Sequence, residues 1–149
     1  MSSAPLFSQH PCPVARSVDI IGDRWALLIV RDAFDGVRRF GDFQRGLGMA
    51  RNILTDRLRK LVEAGIFATR PASDGTAYQE YVLTPKGQSL FPIIVALRQW
   101  GEGNLFAPGE PHSLLVDTRT GEAIPLMVPQ AADGHTLTGE NTRVRKIGA

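Results

Sequence analysis

Cysteine occurs once in the 149 residues, at Cys12. A single thiol excludes an intramolecular disulfide and a cysteine-built zinc site. No run of about 18 apolar residues occurs, so no membrane-spanning helix is expected. The opening stretch MSSAPLFSQHPCPVARS has no basic region followed by an apolar core. It does not read as a secretion signal, and a cytoplasmic location is the default expectation. The three histidines, His10, His112 and His135, are scattered over predicted loops. There is no Gly-rich phosphate loop, His-x-x-x-His pair or Gly-x-Ser-x-Gly turn. Without a cluster of acid, base and nucleophile, neither an enzyme nor a bound cofactor or metal is expected.

Apolar residues make up 43% of the chain, enough to bury a core. The net charge of +2 says little, but its distribution says more. Arg38, Arg39, Arg45, Arg51, Arg57, Arg59 and Lys60 stand against only Asp42 and Asp56 between positions 38 and 60, so this stretch is +5 and the remainder −3. A local basic excess is the footprint of a polyanion-binding face. It equally fits a solvated helix surface, and charge alone leaves both open.

The apolar spacing of Val14, Val18 and Ile21 predicts a short helix over Pro13–Ile21, ended by Gly22. Asp23 is a candidate N-cap for a helix running to Gly36. Ala26–Val30 would also suit a strand, but the length and the Leu/Ala content favour helix. Phe40, Phe43 and Leu47 share one face of a two-turn helix that stops at Gly48. Leu54, Leu58 and Leu61 recur at i, i+4 and i+7 in a longer helix from Met49 to Ile66, whose other face carries Arg51, Asn52, Thr55 and Arg59. Short helix, tight turn and longer amphipathic helix form the outline of a helix-turn-helix. Ile66–Arg70 and Ala77–Leu83 read as two strands joined by a turn over Pro71–Thr76, in which Asp74-Gly75 is the strongest two-residue hairpin signal; a hairpin in this place is a wing. Thr84 and Pro85 start a further helix, expected to run to Trp100, to close at Gly101 and to kink or break at Pro92. Its apolar stripe holds Leu90, Ile93, Ile94, Leu97 and Trp100. The expected organisation is a DNA-binding and dimerisation domain over 1–105, then a linker, a small hairpin around Thr118–Gly121 and a polar tail over 106–149.

Read in order, Cys12-Pro13-Val14-Ala15, Gly22-Asp23-Arg24-Trp25, Leu27–Asp32, Arg39-Phe40, Ile53–Leu58, Leu61–Ile66 and Tyr81–Gly87 resemble the HxlR family of bacterial, MarR-like regulators. The match runs from about Cys12 to Gly101. The resemblance implies a mainly α fold with a small β wing (α+β), a winged helix-turn-helix that dimerises through its terminal helices and acts as a repressor or an activator at nearby promoters; repression from an inverted repeat is the expectation for this chain. Some members resemble sensors of quinones, aldehydes and other electrophiles that use a cysteine near the N-terminus, the place Cys12 occupies. Longer members end in paired cysteines resembling a zinc ribbon; Ser113–Val128 keeps a hairpin pattern without cysteine, so no metal role is expected for it.

Sequence is read by side chains that reach base edges in the major groove. Arg51, Asn52 and Thr55 lie at the end of the second helix that such a fold turns toward the bases. Arg38, Arg39, Arg59, Lys60 and Arg70 suit phosphates. Arg57 could touch the duplex or pair with an acid inside the protein. The wing would bring Ser73, Asp74, Gly75 and Thr76 beside the backbone or minor groove; its tip is acidic and has no Lys or Arg, so contact would come through amide or hydroxyl groups, although a plain exposed turn reads the same. Cys12 beside a helix start, with Arg16 one turn on, fits either a reactive thiol or a packed one. Trp25 and Trp100 suit the core or a homodimer interface, and an effector pocket is the alternative. The competing functions are control by a non-covalent effector, and a winged-helix module that binds protein. The second would call for an apolar, uncharged second helix.

Overall fold

A computed structural model describes residues 6–148. In chain order it contains α1 (Pro13–Ile21), α2 (Arg24–Phe34), α3 (Phe40–Leu47), α4 (Arg51–Glu63), β1 (Phe67–Pro71), β2 (Gln79–Leu83), α5 (Pro85–Gln88) and α6 (Phe91–Asn104). The chain divides into two compact units, Met1–Ile94 and Val95–Ala149, with the division inside α6. No helix among the described residues is long and apolar enough to cross a membrane.

In the first unit the helix signals of the sequence are met by specific bonds. Asp23 caps α2, its carboxylate accepting the Ala26 amide at 2.9 Å, which satisfies one of the donors a helix start leaves unpaired. α3 ends at Gly48, whose φ of 64° lies in the left-handed region that glycine enters without strain. That turn sends the chain into α4. At the far end of α4 the Gly65 amide donates to the Val62 carbonyl and the Ile66 amide to the Leu61 carbonyl, at 3.0 and 2.9 Å. This is the Schellman closure of a helix.

The core gathers Ala26, Ile29 and Val30 from α2, Phe43 from α3, Leu54, Leu58 and Leu61 from α4, and Ile66 and Phe67 beyond it. Each amphipathic helix thus buries one stripe and leaves the other to solvent. Trp25 packs half-buried against this core, while Trp100 on α6 is exposed. The Phe43 and Phe67 rings meet edge to face with centroids 6.3 Å apart, and Phe67 meets Tyr81 likewise at 6.5 Å. An aromatic chain therefore runs from α3 to the second strand.

β1 and β2 pair antiparallel from Phe67 opposite Leu83 to Pro71 opposite Gln79. The loop over 72–78 lies within two residues of the turn expected over Pro71–Thr76, but the two-residue signal at its centre is not used. Asp74-Gly75 is not a two-residue turn: the ladder closes with the Ala72 amide on the Tyr78 carbonyl at 2.9 Å, and a wider loop follows. The Tyr81 amide donates at 2.7 Å to the Arg38 carbonyl, fastening the hairpin to the segment that leads into α3.

Thr84 caps α5, its hydroxyl oxygen accepting the Gly87 amide at 3.1 Å while its O–H donates to the Gly65 carbonyl. A Cβ on Gly87 would fall on the Ile66 carbonyl oxygen, so the Leu-Thr-x-x-Gly pattern is a close crossing of two backbones. The expected long helix breaks at Ser89–Leu90, just ahead of Pro92, the residue expected to kink or break it. Pro92 then sits in the first turn of α6, where its missing N–H costs nothing. The helix also does not close at Gly101 but runs to Asn104.

In the second unit, the chain beyond α6 folds back on it. Arg98 donates to Ser113, and Gln99 bonds both the Pro125 carbonyl and the Met127 amide at 2.9 Å. The anticipated small hairpin is present as a single bridge, Val116 opposite Ala123, and a second bridge joins Gln130 to Thr136.

Candidate nucleic-acid interface

The first turns of α4 expose Arg51, Asn52 and Thr55: Asn52 lies opposite the buried stripe of Leu54, Leu58 and Leu61, while Arg51 and Thr55 flank that stripe. The Thr55 hydroxyl donates back to the Arg51 carbonyl at 2.8 Å. This fixes its rotamer and leaves its oxygen outward. The Arg51 guanidinium lies over the Phe40 ring, 5.2 Å from its centroid, an arrangement that pre-orients the fork without consuming its donors. Among the described residues Arg51 and Arg38 make no ion pair, whereas the other cations of this face do.

Asp56 is the hub of those pairs. It lies 2.7 Å from Arg59, 2.7 Å from Arg57 and 3.2 Å from Lys60. Desolvation pushes its carboxyl up, but the hydrogen bonds from Lys60, Arg59 and Arg57 outweigh this and hold it below the usual aspartate value. Arg59 also reaches Glu63 at 3.0 Å. Arg59 and Lys60 remain exposed, and such surface pairs are weak enough to exchange for a phosphate. Arg57 is different. Its Nε is buried 3.2 Å from Asp23 Oδ2, off the hydrogen-bond direction, so this contact is electrostatic. Of the alternatives the sequence left for Arg57, the geometry favours the internal pair: it joins the cap of α2 to the middle of α4.

The wing is held from inside. Glu80, only 4% exposed, accepts the Ser73 amide at 2.6 Å. That bond leads the interactions which lower its pKa. Arg70, exposed on β1, approaches Glu80 at 4.0 Å. Asp74 accepts the Thr76 amide at 3.0 Å, and the Gly75 amide turns back to the Ala72 carbonyl. The amides of Ser73, Gly75 and Thr76 are therefore occupied within the loop, leaving hydroxyl groups as its outward donors. Arg39 pairs with Asp74 and lies over Tyr78, 5.4 Å from the ring centroid.

The Thr76 amide and then Arg39 pull the Asp74 carboxyl down to about 2. A lowered folded-state pKa means that the loop's stabilisation is complete above the ordinary aspartate value and lost as pH falls toward the folded one. An NMR titration of the Thr76 amide shift should accordingly show a midpoint near 2. A midpoint near ~3.9, the free-aspartate value, would mean that the loop bonds do not form in solution.

Cys12 is the half-exposed N-cap residue of α1, its amide taken by His10 Nδ1 at 3.0 Å. The sequence did not single out Tyr78 or Glu80, and it read Asp23 only as a cap, Asp74 only as a turn residue and Asp56 only as a charge. The i+3 and i+4 spacing of Asp56 to Arg59 and Lys60 was a readable signal, whereas Arg39 and Asp74 stand 35 residues apart.

With this geometry established, the family model described as HxlR-like helix-turn-helix matches residues 20–107. The chain belongs to the HxlR-like helix-turn-helix family. This is a family of transcriptional regulators and not of enzymes. The HTH-type transcriptional regulator Rv3095 of Mycobacterium tuberculosis is 47% identical over 129 residues, 86% of this chain and 81% of that one. A crystal structure of PA1607, described as a transcription factor, superposes with a TM-score of 0.89 at 53% identity, over 94% of this chain and 98% of its own. The redox regulator HypR in its reduced form is similar over 63% of this chain and 94% of its own, at 33% identity and a TM-score of 0.58. This HxlR-like chain is therefore a winged helix-turn-helix regulator, mainly helical, with a two-stranded antiparallel wing. The family match ends at 107, so the folded-back segment after α6 lies largely beyond it.

Proposed function

We propose that this HxlR-like protein is a cytoplasmic repressor that binds an inverted-repeat operator as a homodimer, with α4 in the major groove. The observation that carries the reading is the outward face of α4. Arg51 and Asn52, the side chains that pair bidentately with guanine and adenine, stand exposed with Thr55 on its first turns, while Leu54, Leu58 and Leu61 are core. A helix docking against protein would be apolar there. Arg38, Arg59, Lys60 and Arg70 supply phosphate contacts, and Ser73 and Thr76 offer hydroxyls from the wing.

Two apolar faces support the dimer. α1 has no buried residue and exposes Val14 and Val18. α6 exposes Ile93, Leu97 and Trp100. Faces of this kind rarely stay uncovered on a monomer.

The effector reading turns on Cys12. The half-exposed thiol at a helix start is accessible to an electrophile or oxidant, and a similar regulator, HypR, is described in reduced and oxidised forms. A fluorescence-anisotropy titration against DNA from upstream of the protein's own gene, at fixed near-physiological salt, tests both parts. The expected result is tight binding by reduced protein that weakens after quinone or thiol-oxidant treatment, with Cys12→Ser indifferent to the treatment. Absence of binding at that salt removes the operator reading. Binding that ignores the treatment returns Cys12 to a packed thiol and makes a non-covalent effector the control.

A further inference from the structure

The wing of this protein has an acidic tip and no cation of its own between Pro71 and Gln79. Placed beside a duplex, Asp74 would repel phosphate. The structure answers this from the other side of the motif. Arg39, at the start of α3, pairs with Asp74 and stacks on Tyr78, touching both legs of the loop. Its neighbour Arg38 holds β2 through the carbonyl that accepts the Tyr81 amide at 2.7 Å. Glu80 of β2 pins the near leg at Ser73, so the loop is tied to β2 at Ser73 and to the start of α3 at Asp74 and Tyr78. The Arg39 side chain is one-third exposed, and its fork is turned toward the wing. The carboxylate of Asp74 is the first contributor to the strengthened protonation of that guanidinium.

We propose that Arg39 is a positioning residue, not a duplex ligand: it clamps the acidic wing tip onto the helix-turn-helix and neutralises it, which sets where the wing stands when α4 is docked. The proposal rests on the operator reading of α4 and deepens it. A freed tip would present an unpaired carboxylate and a mobile loop to the backbone, and both effects oppose binding. An arginine that contacts phosphate and one that cancels Asp74 respond differently when Asp74 is also removed, and coupling of this kind is what a double-mutant cycle isolates.

The test compares operator affinity and its salt dependence in wild type, Arg39→Ala, Asp74→Asn and the double variant. Equal thermal midpoints serve as the folding control. Arg39→Ala should lose about tenfold in affinity, the size of a coupled contact pair. The double variant should return to within about threefold of wild type, with an unchanged salt slope. If the double variant stays as weak as Arg39→Ala, and the slope falls by about one per subunit, Arg39 is a phosphate ligand and the proposal is overturned. Wild-type affinity in Arg39→Ala overturns it as well.

A readout without DNA separates this from the operator reading. The ¹⁵N heteronuclear NOE of Gly75 should drop in Arg39→Ala and in Asp74→Asn. An unchanged NOE removes the clamp even where the duplex binds. A dropped NOE in a protein that fails to bind DNA keeps the clamp and removes the operator assignment.

Discussion

Replacing Arg51 and Asn52 together by alanine should lower operator affinity by about a thousandfold or more while leaving the fold intact. A good bidentate contact discriminates by ~1–3 kcal/mol, and each tenfold in affinity corresponds to ~1.4 kcal/mol. Two such contacts in each half-site of a dimer bring even the lower bound to that size. The fold should not notice, because both side chains are exposed and neither makes an ion pair or packs into the core. Only the stacking of Arg51 on Phe40 is lost. Anisotropy titrations with operator and scrambled DNA, alongside circular dichroism melts, check the two halves of the expectation. Binding to scrambled DNA should fall far less, since it depends on phosphate neutralisation by Arg38, Arg59, Lys60 and Arg70. Operator affinity within threefold of wild type would mean that α4 does not read bases with its first turns.

Phe43→Ala should produce the largest loss of stability in the chain. Phe43 is fully buried, and Phe→Ala in a core costs about 3–5 kcal/mol from lost transfer energy and the residual cavity. A domain is stable by only about 5–15 kcal/mol. A loss of this size lowers the thermal midpoint by roughly 12 °C or more for a domain of under 100 residues. The site explains why collapse cannot repair the gap. Phe43 is the only buried residue of α3, and its ring abuts Phe67, which abuts Tyr81. Removing it loosens α3 from the hairpin as well as from the core, so operator affinity at 37 °C should fall with the melting temperature. A urea midpoint displaced by less than the equivalent of about 1 kcal/mol would show that α3 is held by its backbone connections instead.

The helices were legible because their signals are local. Leu54, Leu58 and Leu61 mark the buried stripe of α4 at helical spacing, Gly48 and Gly65 mark its neighbouring turns, and Asp23 and Thr84 are caps whose partners lie three residues on. The loop between the strands was legible as a turn over Pro71–Thr76, but its two-residue signal is not used because the forces that shape the tip are not local. Asp74-Gly75 has the chemistry of a tight turn, yet Glu80 reaches back to the Ser73 amide and Arg39 holds Asp74 from 35 residues away. Those two bonds hold the wider loop. The extent of α6 was missed for a related reason. Gly101 and Gly103 weaken a helix by roughly 1 kcal/mol each relative to alanine, but the segment that follows is fastened to the preceding turn through Arg98 and Gln99. At the candidate site the outward triad of α4 was readable from periodicity. The division of its cations into free, exchangeable and internally committed ones required the positions of Asp23, Asp56 and Asp74.

The two faces of α4 answer to different selective demands. Substitutions at Leu54, Leu58 or Leu61 are tested by folding, whereas substitutions at Arg51, Asn52 or Thr55 leave the packing of the core untouched. A duplicated gene could therefore acquire a new operator through a few changes on one side of a single helix, without first accumulating stabilising mutations elsewhere. Divergence of targets within such a lineage would then proceed at the pace of point mutation, and paralogues sharing the same interior could come to govern unrelated promoters.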